Sequence, residues 1–174
     1  MPMQPDTPAE YQQADARQLA IMQMVANIRA HQSLPLGIAG GLIGAAIAAL
    51  LWAAITAATH FQIGYMALAV GFIVGFGVRT LGRGVDRSFG IAGAVLSLLG
   101  CVAGNLGATI VALAQDAKIP VLSVVERLTP AVLWLLLKEG FQVMDLFFYG
   151  FAVYSGYRYA FRKLTAAEIA SLPD

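Results

Sequence analysis

One acid interrupts the long apolar stretches of this 174-residue chain: Asp145, about one helical turn inside the run 141–157. Gln142, Asp145, Tyr149, Ala152 and Gly156 follow steps of three, four, three and four, a spacing that places them on one face of a helix. That face is polar or small, while Phe147, Phe148, Phe151 and Tyr154 surround the rest. A carboxylate at membrane depth is costly and marks a functional candidate by default. With Gln142 beside it and Asn105 from another apolar run, Asp145 would make a proton- or cation-binding site. The plainer alternative is structural: the carboxylate bonds a neighbouring helix or caps the preceding link. We favour the structural reading, with Asn105 as the expected partner.

Other chemistry has little support. Cys101 is the only cysteine, which excludes an intrachain disulfide and a cysteine-built zinc site. His31 and His60 stand apart from carboxylates, so no metal site is expected. Ser155 lies in Tyr-Ser-Gly-Tyr, not in a nucleophile elbow. No glycine-rich loop with a following lysine is present to cradle phosphate. The expectation is a protein that is not an enzyme and has no cofactor.

The elements that position these residues are membrane spans. Of the chain, 59% is hydrophobic and only 12% charged, with a net charge of +1. Soluble domains carry roughly a quarter charged residues, so a water-soluble domain, a disordered chain and a nucleic-acid binder are all poor fits. A bilayer core of about 30 Å takes roughly 20 apolar helical residues. Four stretches qualify, at about 36–59, 61–79, 88–114 and 141–161. The first 33 residues are polar and do not read as a signal peptide. The segment 119–137 is apolar, but Glu126 and Arg127 sit at its centre and Pro120 and Pro130 divide it. Each charge there would cost about 2.5–3.5 kcal/mol. We read the segment as short helices at the interface or against the bundle; the alternative is a fifth span.

The chain thus divides into an N-terminal arm (1–34), a four-helix transmembrane domain (35–163) with an outer link at 115–140, and a tail (164–174). Even span number with both termini inside places eight basic residues inside and three outside, as the positive-inside rule requires. Arg79, Arg83 and Arg158 are expected to anchor at lipid headgroups by snorkelling.

Two hairpins resemble each other. Gly-Ile-Ala-Gly opens the first span at Gly37 and the third at Gly90. The second span ends in Gly71-Phe72-x-Val74-x-x-Gly77-x-Arg79 and the fourth in Gly150-Phe151-x-Val153-x-x-Gly156-x-Arg158. The offsets are 53 and 79 residues, and their difference of 26 is the size of the outer link. We read this as a duplication, parallel about an axis along the membrane normal; the alternative is chance likeness among glycine-rich helices. Met66 takes the place of Asp145 in the first copy.

Small residues let helices approach closely in lipid. Gly71-x-x-x-Gly75 and Gly100-x-x-x-Gly104 are expected at helix contacts. The arm 11–32 is expected to form an amphipathic helix with Ile21, Met24, Val25 and Ile28 on one face. Thr165-x-x-Glu168 has the spacing of a capping box in the tail.

The runs 62–67 through Arg79, Leu99-Gly100-Cys101 with Gly104-Asn105-Leu106, and Met144-Asp145-Leu146 through Tyr157-Arg158 resemble a group of bacterial four-span inner-membrane proteins with no assigned activity. The resemblance covers about 35–163 and implies no substrate or catalytic residue. The expected fold is therefore an all-α membrane protein. It has four transmembrane helices as two similar hairpins, the N-terminal amphipathic helix, and short interfacial helices between spans three and four. The expected role is a structural, assembly or partner subunit of the bacterial inner membrane. The lipid bilayer, another copy or another membrane protein are its expected partners, and nucleic acid is not. The alternative role is a small oligomeric transporter or channel using Asp145.

Overall fold

The computed structural model describes residues 8–60 and 65–163. Among them the chain is all-helical, in the order α1 (Pro8–Ala30), α2 (Leu34–Thr59), α3 (Met66–Gly82), α4 (Arg87–Asp116), α5 (Val121–Val125), α6 (Pro130–Gly140) and α7 (Val143–Tyr159). The proposed tail capping box, Gln62, Ile63 and Gly64 lie outside the described residues.

Local chemistry sets the helix ends. Extended Ser33 precedes α2, and Pro35 sits in its first turn, where a missing N–H costs nothing. Thr129 caps α6 by accepting from Val132 N at 3.3 Å, with Pro130 next. His60, Arg83 and Lys118 adopt left-handed backbones, φ 57°, 49° and 54°. Each follows a helix, and each conformation costs a non-glycine residue about 1–2 kcal/mol. His60 and Arg83 N–H groups close on Thr56 and Arg79 carbonyls at 2.9 and 3.0 Å.

Two helices, α2 with 26 residues and α4 with 30, are long and apolar enough to cross a membrane. The 17-residue α3 and α7 extend about 25 Å each at 1.5 Å per residue. The link 115–140 folds as α5 and α6, of five and eleven residues; neither is long enough for a span. Both pack on α4 around a small core of Ile110, Ala114, Val124 and Leu136.

Helices α2, α3, α7 and α4 are neighbours in a ring, with α3 also touching α4 across the middle. Among the described residues α2 and α7 do not touch. A two-fold axis parallel to the helices would exchange α2 with α4 and α3 with α7, and the α3–α4 contact would then need an α2–α7 counterpart. The expected axis along the membrane normal is therefore corrected. What recurs is a local crossing. A Cβ on Gly40 would lie 2.9 Å from the Gly77 carbonyl carbon, and one on Gly93 would lie 3.0 Å from that of Gly156. The same offsets, 53 and 79, relate these two pairs.

The four glycines expected at helix contacts all occupy them, against different neighbours. A Cβ on Gly71 would meet Ala152 Cα at 2.8 Å, and one on Gly75 would meet Gly156 O at 3.0 Å. A small-x-x-x-small pair on α3 thus faces a second one on α7. A Cβ on Gly100 would meet Val70 Cγ1 at 2.8 Å, and one on Gly104 would meet Trp52 Cε3 at 2.7 Å. Those two seat side chains rather than backbone.

The amphipathic description of α1 needs correction. Ile21, Met24, Val25 and Ile28 do share a face, but Arg17 falls within it at 100° per residue. Leu19 and Met22, on other sides, are 59% and 63% exposed. Apolar groups thus surround the helix instead of forming one stripe. Its C-terminal end is tied to the α3–α4 loop. Arg29 Nε lies 3.1 Å from Asp86 Oδ1, Gln32 Nε2 donates to Asp86 Oδ2, and Gln32 Oε1 accepts from Val85 N at 3.2 Å. Ser33 N reaches Gly82 O at 3.0 Å, and Arg162 N reaches Gly84 O at 2.8 Å. The start of α2 and the chain after α7 therefore meet the same loop.

Candidate functional site

The break between α6 and α7 is where the polar residues converge. Phe141 and Gln142 are extended between Gly140 and Val143, so one helix presents free carbonyls and the next presents free N–H groups. Asp145 is the third residue of α7 and serves that N-terminus. Its Oδ2 accepts from Gln142 N at 2.9 Å, and its own N–H returns to Gln142 O at 2.9 Å. A carboxylate in the first turn also complements the helix dipole.

From α4, Asn105 reaches across to the other side of the break. Its Nδ2 lies 3.0 Å from Tyr149 Oη, 3.1 Å from Gly140 O and 3.4 Å from Asp145 Oδ2. Two amide hydrogens serve three acceptors, and the two shorter distances identify the stronger bonds. Tyr149 Oη passes the chain on to Cys101 O at 3.4 Å. Asn105, Asp145 and Tyr149 are all buried, and Thr109 Oγ1 holds the Asn105 carbonyl at 2.9 Å.

The three candidate residues Asp145, Asn105 and Gln142 are thus together. Asp145 faces the bundle within reach of Asn105, but its shortest contact is the backbone N–H of Gln142. Sequence reasoning missed Gly140, whose carbonyl is a principal partner of Asn105. A stop signal, Lys-Glu-Gly followed by an N-terminal Gln-x-x-Asp, could have located the break. Lys138, Trp134, Leu137 and Phe141 line a cleft with Val102, and Asn105 and Tyr149 form its polar part. Its volume is about 440 Å³.

Elsewhere, Arg79, Arg83 and Arg158 lie at the opposite end of the bundle, near the α3–α4 loop. Arg79 is half-buried, and Arg83 and Arg158 are exposed. None of the three makes an ion pair among the described residues. Two buried polar groups, Trp52 Nε1 and Thr56 Oγ1, lack a partner among the described residues. Among the described residues no three His, Cys, Asp or Glu side chains gather. No known family, curated protein or solved structure matches the chain.

Proposed function

We propose that the chain is a four-span protein of the bacterial inner membrane, with both termini cytoplasmic, serving as a structural, assembly or partner subunit. The observation that carries the bilayer reading is the distribution of side-chain size. Gly37, Gly40, Gly44, Gly71 and Gly93 are buried at helix contacts in the bundle, beside the few large core groups such as Trp52 and Phe89. Leu50, Phe147, Leu146 and Tyr154 point outward, 60–71% exposed. Soluble proteins bury their large apolar groups; lipid removes that drive and leaves small-residue packing. A core helix of a soluble protein would be mostly buried, whereas the apolar windows of α2 and α4 are 33% and 44% buried. The basic residues Arg29, Arg79, Arg83, Arg87 and Arg158 cluster at the end where α2 begins, which supports a cytoplasmic assignment for that end.

The subunit role rests on the closure of the polar site. Asp145 Oδ2 is engaged by a helix N-terminus, as a structural group would be. The second reading, a small oligomeric transporter or channel, is favoured by one feature. The acid sits at a helix interruption, the arrangement by which discontinuous helices hold ions.

Cysteine labelling in intact cells tests the topology. Ala58 and Ser88 are exposed at opposite ends, and native Cys101 is buried. Ala58→Cys should react with an impermeant maleimide from outside and Ser88→Cys only after permeabilisation. The reverse pattern would reject the orientation, and equal reaction would reject the spans.

A further inference from the structure

We propose that the cleft between α4, α6 and α7 binds a single phospholipid with a net negative headgroup. The proposal rests on the bilayer reading and adds a ligand to it. The volume of about 440 Å³ lies within the roughly 300–1,000 Å³ of small-ligand sites. Val102, Leu137 and Phe141 supply apolar walls that would take an acyl chain. Asn105 and Tyr149 place polar groups against the same space, where they could meet the ester oxygens of a lipid.

The charge pattern selects the headgroup. Among the described residues Lys138 is the one charged residue lining the cleft. It is exposed in the last turn of α6 and makes no ion pair among the described residues. Glu139 is also exposed but does not line the cleft, and neither does the buried Asp145 carboxylate. An ammonium at the mouth of an apolar slot matches a molecule with an anionic head and a hydrocarbon tail. A soluble phosphate would leave the walls unused. Trp134, 71% exposed on the same helix, has the amphipathic ring that favours the headgroup level.

Trp134 also reports the occupant. The chain has two tryptophans, and Trp52 is only 2% exposed, so bromine on a lipid chain should quench Trp134 alone. The full-length protein is reconstituted in phosphatidylcholine vesicles containing either brominated phosphatidylglycerol or brominated phosphatidylcholine at equal mole fraction. Trp134→Phe supplies the Trp52 background. Brominated phosphatidylglycerol should quench as though enriched about fivefold at Trp134, the ratio one lysine contributes at an anionic lipid surface. Lys138→Gln should bring that ratio to one, while Arg127→Gln, in the same link but outside the cleft, should leave it. Equal quenching by the two lipids in the parent protein would overturn the proposal, as would a preference that survives Lys138→Gln. Loss of the preference with excess inorganic phosphate would also overturn it, in favour of a soluble anion. Absence of quenching by either lipid would overturn the bilayer reading itself.

Discussion

The side-chain amide of Asn105 lies 3.1 Å from the carbonyl of Gly140, joining the middle of α4 to the last residue of α6. The same nitrogen holds Tyr149 Oη at 3.0 Å. Removing it strands the Gly140 carbonyl and leaves Tyr149 Oη with its bond to Cys101 O alone. Asn105→Leu should therefore cost about 1–3 kcal/mol, the range for a buried acceptor left unsatisfied. Thermal unfolding in detergent should show a lowered midpoint, and proteolysis should begin at the α6–α7 junction. A variant that melts with the parent would mean that Asn105 does not hold the break together.

The glycine contacts predict a graded series. At Gly71 the obstacle to a methyl group is the α7 backbone at Ala152, which can move only if the helices separate. At Gly104 the obstacle is the Trp52 ring, and at Gly100 it is Val70 Cγ1. Overpacking costs about 1–3 kcal/mol where side chains can adjust. Gly71→Ala should exceed Gly104→Ala in its effect on the melting midpoint, and Gly104→Leu should disrupt the α2–α4 contact outright. Equal midpoints for Gly71→Ala and Gly104→Ala would remove the distinction between backbone and side-chain obstacles.

These contacts also separate what the sequence makes legible from what it conceals. Charge-free runs locate α2 and α4, because a long apolar helix needs no partner to be recognised. The polar stripe from Gln142 through Tyr149 places Asp145 toward the bundle, because helical periodicity is local. Which helices adjoin is not local. The recurring glycine crossings are written in matching motifs, yet the α2–α7 separation that breaks a two-fold arrangement appears only when all four helices pack. The tether from Arg29 and Gln32 to Asp86 joins residues more than fifty positions apart, so the arm reads as independent until the loop is placed. Gly140 was silent for the same reason: its role is to offer a carbonyl to α4.

Thr56 Oγ1 is buried without a partner among the described residues, and a hydroxyl in that state costs about 1–3 kcal/mol in protein interiors. Thr56→Val removes the hydroxyl and keeps the shape. The substitution should raise the melting midpoint, with a gain of about 1–2 kcal/mol. A lowered midpoint would show that the hydroxyl is engaged, and would move attention from Asp145 to the Trp52–Thr56 face of α2.

Asp145 separates the two functional readings. As a structural group it caps α7, and its Oδ2 accepts from Gln142 N at 2.9 Å. An asparagine at the same place keeps an acceptor oxygen but loses the charge that favours a helix N-terminus, a difference of about 0.3–1 kcal/mol. Asp145→Asn should therefore fold, melt slightly below the parent and leave α6 and α7 in register. Asp145→Leu removes the acceptor as well and should cost a further 1 kcal/mol or more, about the value of a lost helix cap. If the site is only a cap, proteoliposomes of the parent and Asp145→Asn should carry equal, background-level proton and sodium flux. If it is an ion site, the parent should conduct and Asp145→Asn should not, at the same protein content and melting behaviour. A parent flux that survives Asp145→Asn would end the transport reading at this residue, because a neutral amide cannot exchange a proton or balance a cation.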